Sequence, residues 1–302
     1  MFVEEYDFQI IANFLAGKRK AAKELENLKK FLDENQKSYQ VLIIDKPRRI
    51  SEFVKDEKIK IKRGIICIGG DGSVSETVSY MIKQKIDVPL AVIPVGTANI
   101  IASSLGLKNR FHSYVFLLKE KIMEVDIGVA DYGRKKDYFL LGVGLGFEEN
   151  FLKKTSEDFK LKFGTLSYIL MALKDLLSLK KVPVRIVFKK NEINLNVCLL
   201  TILNLQPKIL GLFPLFIDKE IKKDDGLFNL YYIEYRNYFY ALLGTIIFHF
   251  WGGQGFGFVK ALKTEELSLT SPELCPTQID GEQGDCLPLN IYFHSRKCRF
   301  FI

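Results

Sequence analysis

Long hydrophobic runs are missing from this chain. The longest, Tyr238 to Phe248 and on to Trp251 across His249, falls short of the roughly 18 to 20 residues that cross a bilayer. It reads as a buried helix or as a contact with a membrane surface. Leu166 to Leu179 is interrupted at helical spacing by Lys174 and Asp175, which implies one solvated face. Cysteine is sparse and unpaired in pattern: Cys67, Cys198, Cys275, Cys286 and Cys298 form no C-x-x-C and are odd in number, which argues against a disulfide framework. Histidine is scarcer still, and His112, His249 and His294 stand at no metal-ligand spacing, so a zinc site is not expected. Glu4, Glu5 and Asp7 give the start of the chain the wrong charge for a signal peptide, so the cytoplasm is the expected compartment.

What is present is ordinary globular material with a basic surplus. Its 302 residues suggest two domains, and 48% hydrophobic with 26% charged residues argues against extended disorder. A formal charge of +8 favours anionic surroundings: nucleotide phosphates, acidic lipid headgroups or nucleic acid. Nucleic acid is not the expected partner, because no recognition helix, zinc pattern or aromatic RNA-binding motif is evident.

From Phe8 to about Val125, short apolar strands alternate with amphipathic helices: Phe8 to Ala12, a Lys-rich helix through Leu32, then Val41 to Ile44. This is the pattern of a parallel α/β sheet. After Asp126, Phe139 to Leu145, Val184 to Phe188, Asn196 to Leu203, Phe228 to Ile233, Leu267 to Leu269 and Asn290 to Phe293 read as strands with few helices. They predict an antiparallel β-sandwich or barrel. A domain boundary near residue 126 follows.

Two segments carry chemistry. Ile65 to Ile68 runs into Gly69-Gly70-Asp71-Gly72-Ser73 and a helix start, where backbone amides and the helix dipole can surround a phosphate. The glycines allow close approach and positive φ, and Ser73 with Glu76 forms an S-x-x-E capping box. Asp71 among these donors makes sense if Mg²⁺ accompanies the phosphates. A plain strand-to-helix turn capped by Asp71 would also account for these residues. Leu90 to Ile93 leads into Pro94-Val95-Gly96-Thr97-Ala98-Asn99 and a short helix that stops at Gly106, a C′ glycine. In an open parallel sheet such loops lie side by side at the strand ends, where ligands bind.

These two segments, with Asp280-Gly281-Glu282, resemble the GGDGT, P-x-GTxN and DGE motifs of the diacylglycerol kinase catalytic family, which includes bacterial lipid kinases and the sphingosine and ceramide kinases. Asn13 to Gly17 resembles its first loop, and Asp225-Gly226-Leu227 its DG-[LM] element. NAD kinases share the glycine turn, but this chain has no second Asn-Glu motif of their kind, and its late Asp-Gly-Glu favours the lipid branch. The resemblance implies an ATP- and Mg²⁺-dependent lipid kinase working on a membrane lipid at the membrane surface, with residues 1–126 as the nucleotide-binding domain, 127–289 as the β-sandwich lipid-substrate domain, 290–302 as a terminal strand returning to the first domain, and the active site in the cleft between the two. A homodimer stays open.

By that resemblance Asp280 takes the proton of the lipid hydroxyl, and Glu282 and Asp71 steady the magnesium. Asn13, Gly17, Gly69, Gly70, Gly72, Ser73, Glu76, Thr97 and Asn99 hold ATP, with Lys18 adding charge. Lys222, Asp225 and Leu227 match a structural Mg²⁺ loop of bacterial relatives; an ordinary turn is the other reading. Departures are Phe14 for the first-loop proline, Ile100 and Ser103 for an acid and an arginine, and Asn204-Leu205-Gln206-Pro207-Lys208, where the glycines usual after the second-domain asparagine are mostly missing and a proline stiffens the backbone. The small apolar residues after Asn99 resemble the sphingosine and ceramide kinase form. They keep a sphingoid-base, ceramide or long-chain alcohol acceptor open, and the departures together keep a non-catalytic nucleotide- and lipid-binding relative open.

Overall fold

The computed structural model describes residues 4–15, 18–46, 50, 59–107, 114–119, 121–145, 179–206, 221–251 and 257–302. Gly17, His112, Pro207 and Lys208 lie outside the described residues, as does Leu166–Leu179 apart from Leu179. The chain divides into two compact units, Met1–Val125 with Lys297–Ile302, and Asp126–Arg296.

In the first unit, strands β1 (Glu4–Asn13), β2 (Tyr39–Ile44), β3 (Ile59–Gly69), β4 (Leu90–Pro94), β5 (Ile122–Val125) and β17 (Cys298–Phe301) form a six-stranded sheet ordered β2-β1-β3-β4-β17-β5. Every pairing is parallel except β17 with β5. Parallel sheets need both faces covered, which is why Phe8 to Ala12 and Ile65 to Ile68 are buried without alternation. Helix α1 (Lys18–Glu34) lays Ala21, Leu25, Leu28 and Leu32, spaced four, three and four apart, on Phe8, Ile10, Ile66 and Ile93. Helix α2 (Asp71–Lys83) buries Val74, Thr77, Val78 and Met81.

Two short helices of this unit lie among the described residues, α3 (Ile100–Ser104) and α4 (Phe116–Lys119). Gly106 ends α3 as expected, with φ +76: its N–H donates to Ser103 C=O and that of Leu107 to Ala102 C=O, a Schellman closure. Phe14 is explained here too. Its N–H donates to Ile44 C=O at 2.9 Å, a bond proline cannot make, and its ring packs on the first core.

The second unit is an eleven-stranded antiparallel sheet that curls around one core. Its strands are β6 (Gly128–Asp131), β7 (Lys136–Phe139), β8 (Gly142–Leu145), β9 (Val182–Phe188), β10 (Asn191–Leu203), β11 (Phe228–Glu234), β12 (Val259–Thr264), β13 (Leu267–Thr270), β14 (Pro276–Ile279), β15 (Glu282–Cys286) and β16 (Leu289–Phe293). Side chains from opposite ends of the strand order meet in that core, including Ala130, Phe139, Ile186, Leu230, Ile279 and Ile291. Helix α5 (Tyr238–Trp251) packs Ala241 onto a smaller cluster with Cys198, Leu199, Tyr231 and Ile233, while Phe239 on its first turn is 73% exposed. Among the described residues no helix is long and apolar enough to cross a membrane.

Two boundaries differ from the sequence reading. Leu289–Phe293 does not return to the first sheet; it pairs with β13 and β6 in the second, and only Cys298–Phe301 rejoins β4 and β5. The expected strand Phe139 to Leu145 is two strands broken at Leu140 and Leu141, because the amides there turn to a side chain.

Candidate active site

The first unit gathers its phosphate-binding candidates where parallel strands end together. Asn13 closes β1, Gly69 closes β3 and Pro94 closes β4, with Gly69 in register with Pro94. Asn13 Nδ2 donates to Ser73 Oγ at 2.9 Å, while Asn13 Oδ1 accepts the Leu15 N–H at 2.9 Å and shapes the first loop. Helix α2 begins at Asp71 with Gly70 as its N-cap and no side-chain cap. The capping box expected of Ser73 and Glu76 is therefore absent. Ser73 sits inside the first turn, buried and bonded to Asn13, and Glu76 Oε1 accepts the Ile50 N–H at 2.7 Å.

Close approach, rather than positive φ, is what the glycines provide. Gly70 has φ −98, and neither Gly69 nor Gly72 is among the positive-φ residues. A Cβ on Gly69 would run into the Ser73 side chain, and one on Gly96 would lie 2.7 Å from Gly70 Cα and 2.9 Å from Asn99 Oδ1. The two loops thus touch glycine to glycine. Gly96→Ala should force them apart at a cost of about 1–3 kcal/mol, typical of overpacking. The expected result is at least tenfold weaker nucleotide binding by calorimetry, about 1.4 kcal/mol, with the fold retained.

Asp71 joins the same two loops. Its Oδ1 accepts the Ile101 N–H at 2.8 Å, so the carboxylate caps α3, where the helix dipole favours negative charge. Burial pushes its pKa above the ordinary value, against the opposing pull of the Ile100 and Ile101 amides. Asn99 adopts a left-handed φ of 50 and donates from Nδ2 to Gly96 C=O at 2.8 Å. Its Oδ1 is buried and finds no donor among the described residues, a cost that a bound donor would remove. Thr97 is exposed beside it.

In the second unit, Asp280 and Gly281 are the two central residues of the β14–β15 hairpin, closed by the pair Ile279 and Glu282. Both have positive φ, 48 and 88, as a type I′ hairpin turn requires. The consequence is that the two acids separate: Asp280 is 9% exposed, whereas Glu282 is exposed. Asp280 Oδ1 accepts the Leu141 and Gly142 N–H groups at 2.8 and 3.0 Å, and Oδ2 accepts Leu140 N–H at 2.9 Å. Consecutive backbone donors of this kind favour the anionic form of a carboxylate. They could not be read from the sequence, because the donors are main chain.

The loop of Lys222, Asp225 and Leu227 contains an Asx turn, Asp225 Oδ1 accepting the Leu227 N–H at 3.1 Å. Asp126, which sequence reasoning passed over, is buried beside it: its Oδ2 accepts Gly226 N–H at 2.7 Å and its own N–H donates to Lys223 C=O at 2.8 Å. Its place just before β6 gave no motif signal. Among the described residues no three His, Cys, Asp or Glu side chains cluster as a metal site.

Comparison with known proteins points one way. The family model described as the diacylglycerol kinase catalytic domain matches residues 7–130. A diacylglycerol kinase of Staphylococcus haemolyticus is 28% identical over 240 residues, covering 78% of this chain and 70% of its own length. One from Staphylococcus carnosus is 28% identical over 229 residues, covering 75% and 72%. A crystal structure of a diacylglycerol kinase from Bacillus anthracis is similar in fold, with TM-score 0.74 at 22% identity over 98% of this chain and 96% of that one. The matched domain and these relatives identify the chain as a lipid kinase similar to the diacylglycerol kinase catalytic family.

Proposed function

We propose that this kinase transfers the γ-phosphoryl group of ATP to a hydroxyl of a membrane lipid such as diacylglycerol, working at the membrane surface. The observation that carries the reading is the glycine cradle: the loops after β3 and β4 meet at Gly70 and Gly96 with no side chain between them, next to the N-terminus of α2. Gly69, Gly70, Gly72, Ser73, Asn13, Thr97 and Asn99 would hold the phosphates and ribose, and Asn99 Oδ1 would gain the donor it lacks. Glu76 supports the neighbouring segment through Ile50.

The lipid hydroxyl oxygen would form the new bond to the γ-phosphorus as the bond to the β,γ-bridging oxygen breaks, leaving ADP, and Asp280 would receive the hydroxyl proton. A carboxylate held by backbone donors is a weak base, which suits a loose transition state that needs positioning more than strong basicity. Asp71 and Glu282 would offer hard oxygen ligands to Mg²⁺, which when bound would neutralise charge on the phosphates. A second cation at Asp225 and the carbonyls of Lys222 and Leu227 would brace the second unit without joining the chemistry.

A sphingoid-base or ceramide acceptor is the second reading, favoured by α3, where Ile101 and Ala102 bury apolar surface directly after Asn99. Radiolabelled ATP offered with diacylglycerol, sphingosine, ceramide and a long-chain alcohol in mixed micelles tests both. Label in phosphatidic acid above all other products is expected. Preference for another lipid would move the acceptor, and no lipid product from any of them would remove the proposal.

A further inference from the structure

The peptide that holds Asp280 is itself held. Leu140 and Leu141 fall in the break between β7 and β8, so their main-chain groups have no neighbouring strand to bond. Their N–H groups go to Asp280. Their carbonyls go to Asn204, one residue past the end of β10: Asn204 Nδ2 donates to Leu140 C=O at 2.9 Å, and its main-chain N–H donates to Leu141 C=O at 2.9 Å. The second Nδ2 hydrogen goes to Asp126 C=O at 2.7 Å. Asn204 is 1% exposed, and both donors of its amide are spent on carbonyls of the buried residues Leu140 and Asp126.

We infer that Asn204 is a positioning residue for the phosphoryl-transfer step, clamping Leu140–Gly142 from the side opposite Asp280 so that the three amides stay aimed at its carboxylate. The inference rests on the reading of Asp280 as the proton acceptor. Asn204 also ties this peptide to Asp126, whose side chain and N–H grip the Lys223–Gly226 turn. The strained hairpin residue, the strand break and that turn therefore share one anchor, and its role is geometric: it touches neither nucleotide nor lipid in the proposed reaction. An amide is suited to this because it can donate twice in one plane, whereas a carboxylate of the same shape would present oxygen to oxygen.

Asn204→Asp is the test variant, nearly isosteric but without the two donors, and Asn204→Ser is the conservative partner that keeps one. Expected for Asn204→Asp is a fall in kcat of about 100-fold, the scale of a small misplacement at a reacting group, with the KM for ATP within about twofold of the parent. Faster amide exchange at Leu140–Gly142 is expected, with exchange in β1, β3 and β4 unchanged, and Asn204→Ser should recover part of the lost kcat. Should Asn204→Asp fail to fold, Asn204→Ser alone must show the lowered kcat, unchanged KM and faster local exchange. A variant with parental kcat, or one in which kcat and KM change together without the local exchange signature, overturns the inference. Asp280→Asn measured in parallel separates the two claims. If it is inactive while Asn204→Asp is fully active, only this inference fails; if Asp280→Asn is fully active, the reading of Asp280 fails first.

Discussion

Asp280→Asn is expected to lower phosphate transfer by roughly 10³-fold, within the range general acid–base groups contribute, while ATP still binds. The carboxylate accepts three backbone N–H groups with its two oxygens. An asparagine carries one oxygen and an NH₂ group, so one of those amides must face another donor, and the side chain can no longer take up a proton. The glycine loops proposed to hold the nucleotide belong to the other unit, which is why binding should survive. Glu282→Gln, at the exposed end of the same hairpin, should cost less, because that carboxylate is hydrated rather than held. Single-turnover transfer of labelled phosphate, beside calorimetric ATP binding, gives the answer; a fully active Asp280→Asn enzyme would remove this residue from the chemistry.

The second large effect is expected from Gly142→Ala. A Cβ there would meet the Ile202 carbonyl oxygen, and a backbone atom in a paired strand cannot rotate away as a side chain could. Strand β8 must shift, and with it the amides of Leu141 and Gly142 that reach Asp280. Destabilisation of about 3 kcal/mol, the upper part of the usual overpacking range, should accompany loss of activity. Urea unfolding and the transfer assay together measure it. A variant as stable and active as the parent would mean that β8 and β10 tolerate a wider spacing than the structure has.

Much of the first unit was legible because its physics is local. Apolar strands such as Ile65 to Ile68, each ending in glycine or proline and followed by a helix, have few alternatives to a parallel sheet, and Gly106 marked the end of α3 by its lack of a Cβ. The capping box misled because the S-x-x-E pattern fits more than one register. Asn13, remote in sequence, draws Ser73 inward and leaves Gly70 at the cap. Leu289–Phe293 has the alternation of a strand in either sheet, and the turn at His294 to Arg296, without glycine or proline, marks no boundary. Asp280 and Glu282 looked alike in sequence; only the hairpin's positive φ values turn one inward and leave the other in water. Asp126 stayed obscure, and Asn204 was legible as a motif asparagine without a role, because each acts on backbone groups, which carry no residue code.

Placing β17 between β4 and β5 has a kinetic consequence. An interior strand of the first sheet comes from beyond the whole second unit, so on the ribosome the N-terminal segment waits with a gap in its hydrogen-bond ladder until Cys298–Phe301 emerges. Synthesis order and assembly order therefore diverge: the later-made unit can finish before the earlier-made one, and the sheet that carries the glycine loops closes only after Cys298–Phe301 has been made.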